Sequence, residues 1–138
     1  MSVVPADLLQ VNVICPNETE AESLSGQVVD SVAAAVSAVQ QIGSRGPQIS
    51  LITLGSQGVV VFDGKTSEHV PPFSVDAVDT TAAGDAFAAA FGIALAEQMS
   101  VSEATRFAAA AGALATTKHG AQPAMPTRNA VEALLRGR

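Results

Sequence analysis

The apolar residues of this chain change their spacing along its length, and that change constrains the fold more than any single residue does. VNVIC at 11–15 is β-branched, alternates weakly and stops at Pro16, as a buried strand does. NETEAESLSG follows; it is acidic, helix-prone and punctuated by Gly26. Val32, Ala35, Val36, Val39 and Ile42 then recur at helical spacing, and Gly43 with Gly46-Pro47 closes that run. ISLITLG reads as a second strand over 49–54, buried on both faces, and GVVVFDG as a third. DGK turns the chain towards SEHVPPF, so the spacing predicts a small antiparallel flap of two or three strands on a more parallel sheet.

The remainder is helical in pattern. GDAFAAAFGIALAEQ places Phe87, Ala90, Phe91, Ala94 and Leu95 on one face. SVSEATRFAAAAGALATT follows, with Ser100 and Glu103 spaced as a capping box. KHGAQPAMPTR is a loop, and TRNAVEALLRGR ends the chain as a short helix capped by Thr127. The order strand, helix, strand, strand, strand, helix, helix predicts a layered α/β fold.

Composition narrows the function classes. The 138 residues suit one domain, and 48% hydrophobic against 14% charged residues excludes a disordered chain. A formal net charge of −6 with no basic stripe argues against nucleic acid. Cys15 is the sole cysteine, which rules out an internal disulfide, argues against structural zinc and fits a reducing, cytoplasmic setting. The apolar runs AFAAAFGIALA and FAAAAGALA fall short of the roughly 20 residues a membrane-spanning helix needs. No basic start precedes an apolar core at the N-terminus, so no secretion signal is expected.

DTTAAGDAFAAAF, from Asp79 to Phe91, sets a carboxylate at the mouth of an apolar helix. Asp85 has two readings. As a cap it would satisfy free N–H groups and the helix dipole. As a working group it would stand beside an anion hole, because Ala82, Ala83 and Gly84 let their N–H groups approach an anion closely. An acid there could take a proton from an attacking hydroxyl. No Gly-x-x-x-x-Gly-Lys-Ser/Thr sequence occurs, which disfavours a P-loop NTPase.

DTTAAGDAF resembles the signature of the ribokinase-like (PfkB) sugar kinases. CPNETEAESLSG resembles that family's Asn-x-x-Glu segment, ITLGSQGVVVFDG its strand and phosphate-loop segment, and EATRFAAAAGALATTKHGAQPAMPTR the tail of ribokinases in particular. Four segments in the family's order, over about residues 11–135, make the match specific.

The resemblance implies ATP-dependent phosphoryl transfer to a sugar hydroxyl, with Asp85 as the general base and Ala82, Ala83 and Gly84 as anion-hole donors. It implies that Asn17 and Glu20 organise Mg²⁺, its waters and the nucleotide phosphates; read locally, the same pair is an N-cap and a first-turn acid. Thr53, Gly55 and Gly58 are implied near the phosphates and ribose, although a tight turn needs such glycines anyway. A potassium site would take the Asp79 side chain, the Thr81 carbonyl and carbonyls near Ala115, Lys118 and Gly120. Ala124 stands where the family often has a serine, which removes one hydroxyl from that shell. Asp79 is also a turn-forming residue in its own right. His119 is expected either to edge the adenine or to be an exposed loop histidine. His69 has no identified partner, and the small residues of 108–112 are expected in a core beside the adenine pocket.

The match covers the second half of the family's chain. The expectation is that residues 1–138 form a single C-terminal nucleotide-binding and catalytic portion, without the N-terminal sugar-binding half and its lid. A sheet edge and an apolar face would then be exposed, so a homo-oligomer is expected. Sugar would be a substrate only with a complementary N-terminal half. The alternatives are a catalytically inactive nucleotide- or anion-binding module and a fragment that only self-associates.

Overall fold

The computed structural model describes residues 5–120 and 124–137. The chain divides into two compact units, Met1–Pro71 and Pro72–Arg138.

In the first unit a short 3₁₀ turn, Ala6–Leu9, precedes strand β1 (Val13–Ile14), helix α1 (Glu18–Ser25), helix α2 (Val32–Gly43) and strands β2 (Ile49–Thr53), β3 (Val59–Phe62) and β4 (Ser67–Val70). The strands lie side by side in chain order among the described residues. β1 pairs parallel with β2, as a strand–helix–strand crossover requires, whereas β2–β3 and β3–β4 are antiparallel. The expected antiparallel strands are therefore present, joined to the parallel β1–β2 pair in one mixed sheet. Leu51, Ile52, Val59, Val60 and Val61 are all buried, so β2 and β3 are covered on both faces.

Ile52, Leu54 and Val60 meet Ala21 of α1 and Ala35, Ala38, Val39 and Ile42 of α2 in one cluster. The helical spacing of the α2 residues is what turns them to this core. Gly43 is the last residue of α2 and is small for a packing reason: a Cβ there would stand 2.5 Å from Cδ1 of Phe62 on β3. β1 is shorter than VNVIC suggests. Val11 and Asn12 still accept backbone hydrogen bonds from Gln48 and Ile49, but only Val13 and Ile14 pair in register.

The second unit holds helices α3 (Ala83–Ala96), α4 (Val101–Ala115) and α5 (Arg128–Arg136). Ala86, Phe87, Ala90, Phe91 and Ala94 form the buried face of α3, with the Phe87 and Phe91 rings stacked at 6.2 Å; Leu95 is only half-buried. Ala104, Phe107, Ala108, Ala111 and Gly112 form the buried face of α4. A Cβ on Gly112 would lie 3.2 Å from the Ala83 carbonyl oxygen and 3.6 Å from Cβ of Phe87, so this glycine lets α4 sit against the start of α3. Of the small residues at 108–112, all but the half-buried Ala109 are core residues.

Ser100 caps α4 by accepting from the Glu103 N–H, but Glu103 does not return the bond, so half of the expected capping box forms. Thr127 caps α5 through the Ala130 N–H. Arg128 ties α5 to the end of α3. Its guanidinium donates to both carboxylate oxygens of Glu97, at 2.5 and 2.6 Å, and to Glu132 at 3.0 Å, and it lies 5.4 Å from the Phe107 ring centre. The loop 116–127 is described except at 121–123, so part of the GAQPAMPT segment lies outside the described residues. No helix among the described residues is long and apolar enough to cross a membrane.

Candidate functional site

The residues singled out in the sequence fall into two groups, one in each unit. In the first unit, β1 and β2 run parallel, and the chain leaves both strands at the same end. Thr53 N–H donates to the Pro16 carbonyl at 3.1 Å, and Asn17 and Thr53 form an isolated parallel bridge. This is the carboxyl end of parallel strands, where open α/β sheets place ligands.

Asn17 and Glu20 form a complete capping box on α1. Asn17 Oδ1 accepts from Glu20 N–H at 2.9 Å, and Asn17 N–H donates to Glu20 Oε1 at 3.0 Å. Both side chains are exposed. The local reading of this pair is thus realised, and Glu20 Oε2 stays outside the box. Behind them the Cys15 thiol is pushed up to about 12, first by burial and second by the Glu20 charge.

Beyond Thr53 the chain makes one 3₁₀ turn, Gly55–Gln57, on the way into β3. Gly55 and Gly58 both have positive φ, 54° and 92°, which an L side chain would strain. The turn is closed by Leu54 N–H donating to the Gly58 carbonyl at 2.8 Å. A Cβ at Gly55 would meet nothing within 4 Å, so the space above the turn is open. His69 does have a partner: its Nε2 lies 2.7 Å from the Gln57 carbonyl oxygen of this turn. That contact joins residues 12 apart across β3, a separation at which sequence carries no local signal.

In the second unit the group is centred on Asp79. Its Oδ1 accepts from Thr81 N–H at 2.9 Å and from the Thr81 hydroxyl, so the expected Asp turn is present. Its Oδ2 accepts from Gly120 N–H at 3.0 Å and lies 3.9 Å from His119 Nδ1. The Thr81 hydroxyl bond, the Gly120 and Thr81 N–H groups and the nearby imidazole together pull the carboxyl down to about 2. The Thr116 carbonyl accepts from both Val78 N–H, at 2.7 Å, and Asp79 N–H, at 3.0 Å. Asp79, Thr81 and Gly120 are thereby tied together beside Thr116; no bond among the described residues ties Ala115 or Lys118 to Asp79. Ala124 is buried with Ala82, Ala86 and Ala115 in an apolar cluster and has no side-chain oxygen to offer. His119 is an exposed loop residue, its side chain 84% accessible.

From this clamp the chain enters α3. Ala82 is the N-cap residue and offers no side-chain cap, so Asp85, third in the helix, does not cap it by hydrogen bonding. Ala83 N–H donates back to the Thr80 carbonyl at 3.2 Å. The N–H groups of Ala82, Gly84 and Asp85 have no acceptor among the described residues, as the first turn of a helix leaves them. Asp85 is exposed, and its carboxylate has no hydrogen-bond partner among the described residues. A Cβ at Gly84 would meet nothing within 4 Å, so packing does not require glycine there. Elsewhere, no three His, Cys, Asp or Glu side chains among the described residues come together as a metal cluster.

The pfkB family carbohydrate kinase model matches residues 3–128. This chain belongs to the pfkB family. Ribokinase of Haemophilus influenzae is 42% identical over 134 residues, a span covering 93% of this chain and 44% of that protein. Arabidopsis thaliana ribokinase, solved in complex with ribose and ATP, superposes with a TM-score of 0.89 at 37% identity, covering 98% of this chain and 44% of that one. Phosphofructokinase-2 of Escherichia coli, solved in complex with potassium, superposes with a TM-score of 0.85 at 26% identity, over 96% of this chain and 42% of that one. The chain therefore spans less than half the length of the pfkB relatives it matches. Its mixed sheet and helices have the ribokinase fold over that portion.

Proposed function

We propose that this chain is the nucleotide-binding and catalytic portion of an ATP-dependent sugar kinase of the ribokinase kind. The observation that carries this reading is the mouth of α3. It has no side-chain cap, it leaves N–H groups free at Gly84 and Asp85, it keeps a glycine where packing asks for none, and it sets an unpartnered carboxylate beside them.

In this reading the N–H groups at Ala82, Gly84 and Asp85 receive oxygens of the transferred phosphoryl group. Ala83 would join them on release from the Thr80 carbonyl. Such donors need no reorganisation as charge builds up, and phosphoryl transfer depends on positioning and charge stabilisation more than on covalent chemistry. Asp85 accepts the proton of the attacking sugar hydroxyl. The turn at Thr53, Gly55 and Gly58 leaves open space for the nucleotide, and His119 stands exposed on its loop, 3.9 Å from Asp79.

Glu20 fits a magnesium-linked role, since it keeps Oε2 outside the capping box and stands as a single exposed carboxylate beside Asn17. Bound with the nucleotide, Mg²⁺ supplies neutralising charge to the phosphates and keeps most of its own waters. A carboxylate offers about four acceptor positions. At Asp79 three are taken, by Thr81 N–H, the Thr81 hydroxyl and Gly120 N–H, which leaves room for a potassium ion shared with the carbonyls of Thr81, Ala115, Lys118 and Gly120. Ala124 makes that shell one hydroxyl poorer, so potassium activation should be weak.

The sugar side of the reaction is proposed to come from a complementary N-terminal half, because the matched relatives are more than twice as long as this chain. The outer edge of β1 pairs with no strand among the described residues. We expect self-association there, visible as concentration-dependent light scattering; a sharply melting monomer at low micromolar concentration would refute it. A nucleotide-binding module without catalysis is the second reading, favoured by the same partial coverage.

The deciding experiment is Asp85→Asn, in this chain combined with a complementary half from a ribokinase. Turnover should fall by roughly 10²–10⁴-fold, the usual worth of a general base. Calorimetric binding of MgADP should survive, since the N–H donors remain. A near-native rate in the variant would remove the base role. A flat MgADP titration of the native chain would remove nucleotide binding altogether.

A further inference from the structure

We propose that Asp79 is a positioning residue: its carboxylate ties the backbone entering α3 to the loop leaving α4 and so sets the mouth of α3. The inference rests on the reading of that mouth as a phosphate-binding place. Three observations carry it. First, Ala82 has no capping side chain, so at the start of α3 the entry is held only by backbone bonds such as Ala83 N–H to the Thr80 carbonyl among the described residues. Second, the Asp79 carboxylate spans two distant segments. It takes Thr81 N–H at 2.9 Å and the Thr81 hydroxyl on one oxygen, and Gly120 N–H, 41 residues away, at 3.0 Å on the other. Third, the same junction is doubled in the backbone, where the Thr116 carbonyl receives the N–H groups of Val78 and Asp79. From residue 78 to the turn at Thr80–Ala83 the entry is thus held to α4, and Asp79 is its one charged tie among the described residues. Hydrogen bonds to an ionised acceptor are the stronger kind, which suits a tie exposed to solvent on one side.

A cation ligand and a clamp make different demands on Thr81. A cation would take its carbonyl, whereas the clamp takes its N–H and hydroxyl. Thr81→Val deletes the hydroxyl and keeps the carbonyl, Thr81→Ser restores the hydroxyl, and Asp79→Asn leaves one oxygen and one NH2 group, so it cannot accept from Thr81 and Gly120 at the same time as the two carboxylate oxygens do.

The test is amide hydrogen exchange together with MgADP calorimetry on the native chain and these three variants, in potassium-free tetramethylammonium buffer and again with potassium added. Exchange at Gly120 and Thr81 should quicken about tenfold or more in Thr81→Val and Asp79→Asn, as loss of a hydrogen bond to a charged group implies. MgADP affinity should fall in step, Thr81→Ser should behave as native, and protection in the middle of α4 should not change. Unchanged exchange at Gly120 in both disruptive variants would overturn the proposal. So would an affinity loss that appears only when potassium is present, which would make Asp79 a cation ligand alone. Should the native chain bind no MgADP, the phosphate-site reading falls, while the exchange data still decide whether the clamp exists.

Discussion

Replacing Gly84 by alanine should raise the stability of this protein and weaken its hold on nucleotide, and the opposite signs make the test sharp. Gly84 is the second residue of α3. Its φ is not among the positive ones, and a Cβ built on it meets no atom within 4 Å. Neither strain nor crowding therefore opposes the methyl group. Removing a glycine at such a place typically stabilises by ~0.4–1 kcal/mol, through the smaller freedom of the unfolded chain. For a chain of this size that corresponds to a rise of roughly 1–4 °C in melting temperature. The added methyl would occupy the open space through which a phosphate approaches the Gly84 N–H. Losing a hydrogen bond to a charged group costs about 1.5–3 kcal/mol, or roughly 10–100-fold in affinity. Differential scanning calorimetry and MgADP titration read the two effects separately. Gly112→Ala is the contrasting control, because its Cβ would press on the Ala83 carbonyl oxygen at 3.2 Å and disturb the same helix mouth by packing. A Gly84→Ala protein that melts lower than native, or that binds MgADP with native affinity, would refute the reasoning.

Two further outcomes are expected. Asp79 titrates in the folded protein at about 2, below the ordinary carboxyl value, chiefly through the Thr81 hydroxyl and the Gly120 N–H. Its contribution to stability is therefore complete above about pH 4 and lost as the pH falls through about 2. NMR titration should show this low value, and Thr81→Val should move it back up; a native-like value in that variant would mean that the Thr81 hydroxyl is not what holds the carboxyl down. Arg128→Ala removes the paired bonds to Glu97, the bond to Glu132 and the contact with Phe107. The urea midpoint should drop, and the difference should shrink at high salt because these groups are half-exposed. An unchanged midpoint at low salt would show that the network does not hold α5.

What was legible in the sequence was what depends on near neighbours. The Asn17–Glu20 and Thr127 caps act over three residues, and the α2 and α3 faces repeat within a few turns, so each leaves a local trace. Buried strands at 49–53 and 59–62 announce themselves through short runs rich in apolar and β-branched residues. Bonds between distant segments leave none. His69 to Gln57 and Thr116 to Val78 were beyond reach, Asp79 was set near Gly120 only through the family resemblance, and the fact that Val11 and Asn12 drop out of register with β2 was not legible either. The half-formed box at Ser100 shows that correct spacing permits a reciprocal bond without compelling it. These limits bear differently on the two carboxylates at helix starts. Glu20 already has a structural task in its capping box, so its presence is explained whether or not a metal ever comes near. Asp85 has none: the helix it begins is uncapped at Ala82, its carboxylate is exposed, and no donor among the described residues meets it. The dipole of α3 favours a negative charge in its first turn only modestly, by about 0.3–1 kcal/mol at an exposed position, and any acid in that turn would serve. A carboxylate at the third position, directly after a glycine that packing does not need, is therefore where the proposed base role rests, and the Asp85→Asn experiment decides it.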